Sequence, residues 1–218
     1  KIPSKIFNFL ENNLFNFIFY INGNLKKLDK GQNLNFIDLG FDRFVGQKKL
    51  ANLITLYPEM NSSMSSEHQV FFAALAAKRT YKLKNILEIG THDATNVLLM
   101  SKLFPKSKIV TIDLEDSNNE FSNSYNRDKK DLLNKFIKNR NNILAKCNNV
   151  NFVQKNSLNL IFENKKFDLI WIDGAHGYPV LPIDISNSIR LIERGGLMMC
   201  DDIYISKRIN PDNMYKSY

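Results

Sequence analysis

The stretch WIDGAHGYPV, residues 171 to 180, puts Asp173 and His176 three positions apart where the apolar run FDLIWI ends. A carboxylate is a hard oxygen donor for a cation, and an imidazole with a pKa near ~6.5 exchanges a proton at neutral pH. Asp201 and Asp202 follow a second apolar run, GGLMMC. If the two runs are adjacent parallel strands, their carboxyl ends meet at one rim and three carboxylates share a small volume. They would repel and raise one another's pKa unless a cation or a protonated partner sat among them. An oxygen-rich set of this kind suits Mg²⁺, Mn²⁺ or Ca²⁺ better than zinc.

A second group lies in ILEIGTHDATN, which reads as a strand, a glycine turn and a helix start, the place where an α/β domain binds a nucleotide-like ligand. Gly90 is followed by His92, Asp93 and Ala94, so the G-x-G-x-x-G cradle for a pyrophosphate is absent, and no G-x-x-x-x-G-K-[ST] loop occurs. What remains is Glu88 before the turn and Asp113 at the end of the next apolar run, about twenty residues on, where an acid can accept both ribose hydroxyls. A ribose-bearing ligand without phosphate is S-adenosylmethionine.

From about residue 81 to 205 the chain resembles the class I S-adenosylmethionine-dependent methyltransferases. LEIGTHDAT is similar to their first motif, with Glu88 and Gly90 in place and the later glycines replaced, and VTIDLED to their ribose-binding strand end, with Asp113 as the acid. The resemblance implies that Glu88, Gly90, Thr91, His92, Asp113 and Asp173 hold the cofactor. It also implies that Asn156 and Ser157, after the third strand VNFVQ, lie near the adenine. Asp-x-x-His followed by an acidic pair after a Gly-Gly turn resembles the metal-dependent O-methyltransferases, in particular those acting on macrolide sugars and in cephalosporin biosynthesis. Catechol-type relatives carry Asn as the last ligand and Lys in place of the histidine. The resemblance implies that Asp173, Asp201 and Asp202 bind the metal, expected to be Mg²⁺, and that His176 is the general base. His92 and His68 receive no catalytic role.

The elements needed to position these residues are legible around them. NILEIG, KIVTIDL, VNFVQ, FDLIWID and GGLMMCDD alternate with helical patterns, which predicts an α/β, Rossmann-like, doubly wound and mostly parallel sheet. TNVLLMSKLFP reads as a helix ending at Pro105, and Leu181, Ile185, Ile189 and Ile192 recur at helical intervals. SSEHQVFFAALAAKRT reads as a helix capped by Ser65 or Ser66. Between the second and third strands, Leu132, Leu133, Phe136, Ile137, Ile143 and Leu144 mark an amphipathic helix, while EDSNNEFSNSYNRD shows no pattern and is expected to be a mobile lid. Residues 1–66 are read as a helical extension and 67–218 as the cofactor-binding domain. Only IYISKRINPDNMYKSY follows Asp202, too little for the last two strands usual in class I methyltransferases, so those strands are expected to be missing from this sequence or supplied by another subunit.

The 218 residues are 44% hydrophobic and 24% charged, ordinary for a folded domain. Glu11 and three asparagines interrupt the apolar N-terminal stretch, which leaves no span of roughly 18 to 20 apolar residues. It reads instead as an amphipathic helix for packing on the domain or on a second subunit as a homo-oligomer. Cys147 and Cys200 have no metal or redox spacing, in keeping with a reducing, cytoplasmic compartment. The net charge of +8 is spread through a Lys- and Asn-rich chain. The expected activity is O-methylation of a small hydroxylated metabolite or sugar. Methylation of RNA or DNA, and a binding module with a broken site, are the alternatives. Nucleic acid is not an expected partner, since the Asn/Asp-Pro-Pro-aromatic motif of amino-methylating enzymes is absent.

Overall fold

The computed structural model describes residues 24–60, 67–78, 80, 82–125 and 127–201. The predicted N-terminal helix over residues 6–21, the caps at Ser65 and Ser66, Asp202 and the tail lie outside the described residues.

Five strands form one parallel sheet: β1 (Asn85–Ile89), β2 (Lys108–Asp113), β3 (Val150–Gln154), β4 (Phe167–Ile172) and β5 (Ile192–Cys200), in the order β3-β2-β1-β4-β5. Every neighbouring pair is parallel. The chain winds outward from β1 in one direction to β3 and then returns to place β4 on its other side, so the crevice between the carboxyl ends of β1 and β4 is the switch point where α/β sheets bind ligands.

Alternate strand residues point to opposite faces and build two cores. On one face Ile86, Leu169 and Trp171 pack with Phe72, Leu75, Leu98 and Met100; on the other Leu87, Ile89, Ile170, Ile172 and Leu191 come together. With both faces covered, β1 and β4 read as nearly continuous apolar runs.

Among the described residues, three α-helices precede the sheet: α1 (Asn24–Asp38), α2 (Arg43–Leu56) and α3 (Glu67–Ala77). They share the first core, Phe36 and Phe41 standing edge-on to Phe71 with ring centroids 5.8 and 4.8 Å away. Gly46 lets α2 lie directly on α3, because a β-carbon there would overlap the Val70 carbonyl oxygen. Arg43 locks the pair with a bidentate bond to Glu67 at 2.9 and 2.6 Å. No helix among the described residues is long and apolar enough to cross a membrane.

The crossovers are α4 (Thr95–Leu103), the short α5 (Asn119–Asn123), α6 (Lys130–Leu144) and α7 (Val180–Leu191). Two differences from the sequence reading have local causes. Ile192, assigned to a helix by its spacing, begins β5 opposite Phe167, and residues 193–196 bulge before Leu197 pairs with Leu169; Gly195, at φ +79°, makes that bulge available. The stretch without a pattern contains α5, whose start is capped by Asn118 accepting from Glu120 N at 2.8 Å.

Gly90 is the tightest point of the sheet. Its φ is +101°, and a β-carbon on it would overlap the Asp173 carbonyl oxygen and lie 2.5 Å from the carbonyl carbon and 2.9 Å from Gly174 N. Gly90→Ala therefore adds a left-handed backbone penalty to a clash with main chain that has no free direction to yield. A loss of roughly 3 kcal/mol or more is expected in urea unfolding. A loss under about 1 kcal/mol would show that the β1–β4 rim relaxes freely.

Candidate active site

The period of two places the acids. Leu169 and Trp171 on β4, and Leu197 and Met199 on β5, face the first core, and continuing the alternation brings Asp173 and Asp201 to that same face just past the strand ends. The backbone holds both there: Asp173 N–H donates to Ile89 O at 2.8 Å and Asp201 N–H to Ile172 O at 2.9 Å. His176 follows on the loop after β4, with Nε2 3.5 Å from Asp173 Oδ1 and both side chains about a third exposed. Asp173 and His176 thus lie together after β4, and Asp201 is held by its backbone just past the end of the adjoining strand β5. No three His, Cys, Asp or Glu side chains among the described residues form a metal-holding group.

A residue given no role in the sequence reading also lies here. The His68 ring on α3 lies 4.5 Å from Trp171 and edge-on to Phe72 at 5.7 Å. Burial in this aromatic corner lowers its pKa, against the opposing pull of Asp201, Asp173 and Asn96. The available signal was helical spacing: His68 and Phe72 are four apart, on the side of α3 that faces the sheet.

The turn after β1 rests on a buried polar chain. Glu88 is fully buried and accepts from Thr111 Oγ1 at 2.6 Å and from Asn96 Nδ2 at 2.8 Å, while Thr111 and Thr91 hydroxyls share a 2.6 Å bond. Burial pushes the Glu88 carboxyl up to about 8, with Thr111 and Asn96 working the other way and Asp173 and Asp113 adding to the rise. Glu88 and Thr91 thus shape the turn from beneath. His92 and Ala94 stand in left-handed backbone at φ 46° and 67°, the conformations that the missing glycines would adopt without strain. Asp93 fixes the start of α4, accepting from Thr95 N at 2.9 Å and Thr95 Oγ1 at 2.6 Å.

Asp113 is half-buried at the end of β2 and is pre-oriented: Oδ2 accepts from His92 N at 2.8 Å and Oδ1 from Leu114 N at 2.8 Å. Each oxygen keeps a lone pair for a second donor. Asn156 is exposed after β3, its Oδ1 accepting from Leu158 N at 2.9 Å. Ser157 turns its hydroxyl toward Asp184 on α7, a fully buried carboxyl whose pKa rises through burial and whose two oxygens meet no donor at good geometry.

The segment expected to be a lid has packing contacts of its own. The Arg127 guanidinium lies 3.9 Å from the Phe121 ring centroid and 4.7 Å from that of Phe136, and its charge faces Asp113 and Asp116. Arg140 pins the start of this segment through Asp116, at 2.7 and 2.8 Å. Beyond it, a groove of about 680 Å³ is bounded by His92, Asp93, Tyr125, Phe136 and Asn139. A cavity of about 180 Å³ beside Lys82, Asp168 and Gly196 belongs to the amino ends of the strands, away from the acids.

With this geometry in place, residues 87–203, more than half the chain, match the family model described as a methyltransferase domain. The chain belongs to the methyltransferase-domain family. Its parallel sheet, with a ligand crevice at the β1/β4 switch point, has a Rossmann-like arrangement. No curated protein matches significantly. Among solved structures, the S-adenosylhomocysteine-bound methyltransferase PaMTH1 of Podospora anserina is 20% identical, with 72% of this chain and 61% of that one covered and a TM-score of 0.45. The O-methyltransferase TomG of Streptomyces achromogenes, in complex with S-adenosylmethionine, is 18% identical, with 78% and 70% covered and a TM-score of 0.45. An O-methyltransferase family protein of Burkholderia thailandensis is 15% identical, with 68% and 40% covered and a TM-score of 0.41. The chain thus spans about three fifths of the length of the Podospora protein.

The raised Glu88 pKa has a signed consequence. An unfolded glutamate ionises near 4.5 and the folded one near 8, so between these values the native state keeps a proton that the unfolded state has lost. The stability contributed by the protonated carboxyl is full below pH 4.5 and is lost as pH rises toward 8, at up to about 1.4 kcal/mol per pH unit. Urea unfolding at pH 5, 6, 7 and 8 should show this slope in the native protein relative to Glu88→Gln; parallel profiles would mean that Glu88 ionises normally in the fold.

Proposed function

We propose that the protein is an S-adenosylmethionine-dependent O-methyltransferase that methylates a hydroxyl of a small metabolite or sugar, with divalent-metal assistance and His176 as general base. The observation that supports this reading is the Asp173–His176 pair after β4, with Asp201 held by its backbone at the adjoining strand end and Asp113 fixed by two backbone N–H groups. The two unpaired cysteines accord with a reducing cytoplasm.

The proposed cofactor and metal sites both draw on acids at the carboxyl ends of the strands. Asp113 keeps lone pairs for two ribose hydroxyls, with Gly90, Thr91 and His92 as the floor of the cofactor site and Asn156 and Ser157 beside the base. Mg²⁺ is commonly held by only one or two carboxylates plus water and substrate oxygens, and Asp173, Asp201 and Asp202 are the proposed ligands. When bound, the cofactor supplies a methyl group on a sulfonium and the cation lowers the proton affinity of a hydroxyl it touches. His176 takes the acceptor's hydroxyl proton, and Asp173, 3.5 Å away, stabilises the resulting imidazolium. The rim's remaining work is alignment and exclusion of water, which in well-oriented systems lowers a barrier by up to about 7 to 11 kcal/mol.

Isothermal titration with S-adenosylmethionine, with and without Mg²⁺, tests the reading. Binding is expected in the native protein and should weaken on the order of 10-fold or more in Asp113→Ala, which loses charge-assisted bonds. In Asp173→Ala, Mg²⁺ binding should disappear. Failure of the native protein to bind the cofactor would overturn the proposal. Unaltered Mg²⁺ binding in Asp173→Ala would remove the metal role alone.

A further inference from the structure

We infer that Tyr125 and Phe136 are positioning residues for the cofactor, acting through the ring of His92 to hold the backbone N–H that aims Asp113. The inference rests on the cofactor site proposed above and brings into it the segment between β2 and α6.

His92 stands at φ 46°, in left-handed backbone that a residue with a β-carbon seldom adopts. Glycine would take this conformation without strain, so a histidine here needs contacts that hold it. Two rings supply them. The Tyr125 centroid lies 5.0 Å from that of the imidazole with the planes at 59°, and the Phe136 centroid lies 5.2 Å away with the planes at 55°. Both distances fall within the range of favourable aromatic pairs. The two rings share a support of their own: the Arg127 guanidinium lies 4.7 Å from the Phe136 centroid and 5.3 Å from that of Tyr125, and Arg127 Nε donates to Ser124 O at 3.1 Å. Phe136 also meets Phe121 edge-on at 5.9 Å, which ties α6 to the short α5.

The main chain of His92 is where this packing reaches the cofactor site. Its N–H donates to Asp113 Oδ2 at 2.8 Å, a bond that crosses from the turn after β1 to the end of β2. The donor to Oδ1, Leu114 N–H, belongs to the very next residue and cannot by itself register the carboxylate against the turn. If His92 relaxes toward ordinary φ, its N–H is redirected and the ribose acid loses the bond that aligns it. Tyr125 is 77% exposed, so its ring adds little to the core, and removing it isolates the effect on His92 while leaving the fold standing.

Two substitutions separate the ring from the hydroxyl: Tyr125→Ala removes both, and Tyr125→Phe keeps the ring. S-adenosylmethionine titration should show about a 3- to 10-fold loss in Tyr125→Ala and less than about a 2-fold loss in Tyr125→Phe. Phe136→Leu, which keeps apolar bulk without a ring, should weaken binding to an extent similar to Tyr125→Ala. In a His92→Ala background, itself weakened, Tyr125→Ala should add little, since both act through one contact. Amide hydrogen exchange over residues 91–94 without cofactor should quicken in Tyr125→Ala and stay native in Tyr125→Phe. Native affinity in Tyr125→Ala or Phe136→Leu, equal loss in the two Tyr125 variants, or an undiminished Tyr125→Ala effect in the His92→Ala background, as expected if the exposed ring touches the ligand directly, would each overturn the inference. If the native protein failed to bind the cofactor, the functional proposal would fall, and the exchange comparison would still decide whether Tyr125 holds the turn.

Discussion

The close approach of Gly90 to the Asp173–Gly174 main chain is the constraint from which the rest of the site follows. It can exist only where the chain lacks a β-carbon and can adopt positive φ. By bringing the ends of β1 and β4 into contact at the switch point, it puts the cofactor turn beside the first acid of the rim. The Asp173 N–H bond to Ile89 O secures that meeting, and the parallel bond from Asp201 N–H to Ile172 O repeats it one strand further out. Side-chain alternation then turns both acids toward the helices α3 and α4.

Concentrating acids at one edge carries an electrostatic cost, and the protein meets it differently at different depths. Glu88, wholly buried, is held largely protonated within a hydrogen-bonded chain. Asp113, half-buried, receives two backbone N–H groups and faces the Arg127 guanidinium. Asp173 and Asp201, at the rim, have imidazoles nearby: His176 beside Asp173, and His68 near both.

The sequence made the strands legible because a parallel sheet covered on both faces demands uninterrupted apolar runs, and NILEI and FDLIWI supply them. Gly90, Asp113, Asp173 and Asp201 were readable from their places at the ends of such runs. Other features depended on contacts between distant segments. His68 acquires significance only when Trp171, about a hundred residues away, comes beneath it. The segment after β2 lacked a periodic signal because a 5-residue helix shows almost none, and its order comes from Arg127 packed on Phe121 and Phe136. The early start of β5 was hidden by a bulge at Gly195 that keeps Ile192 paired with Phe167 while the residues between it and Leu197 leave the ladder. Thr91 and Glu88 were recognisable as part of the turn, but that they support it from below follows only from their burial.

The proposed function requires a nucleoside along the rim with its ribose on Asp113 and a divalent cation between Asp173 and Asp201. A crystal structure of the protein grown with S-adenosylhomocysteine and Mn²⁺, with anomalous data collected at the manganese edge, tests it most directly. The account predicts ribose hydroxyls within hydrogen-bonding distance of the Asp113 carboxylate and an anomalous peak between the two rim acids. Ribose density away from Asp113, with no manganese peak between Asp173 and Asp201, would contradict it.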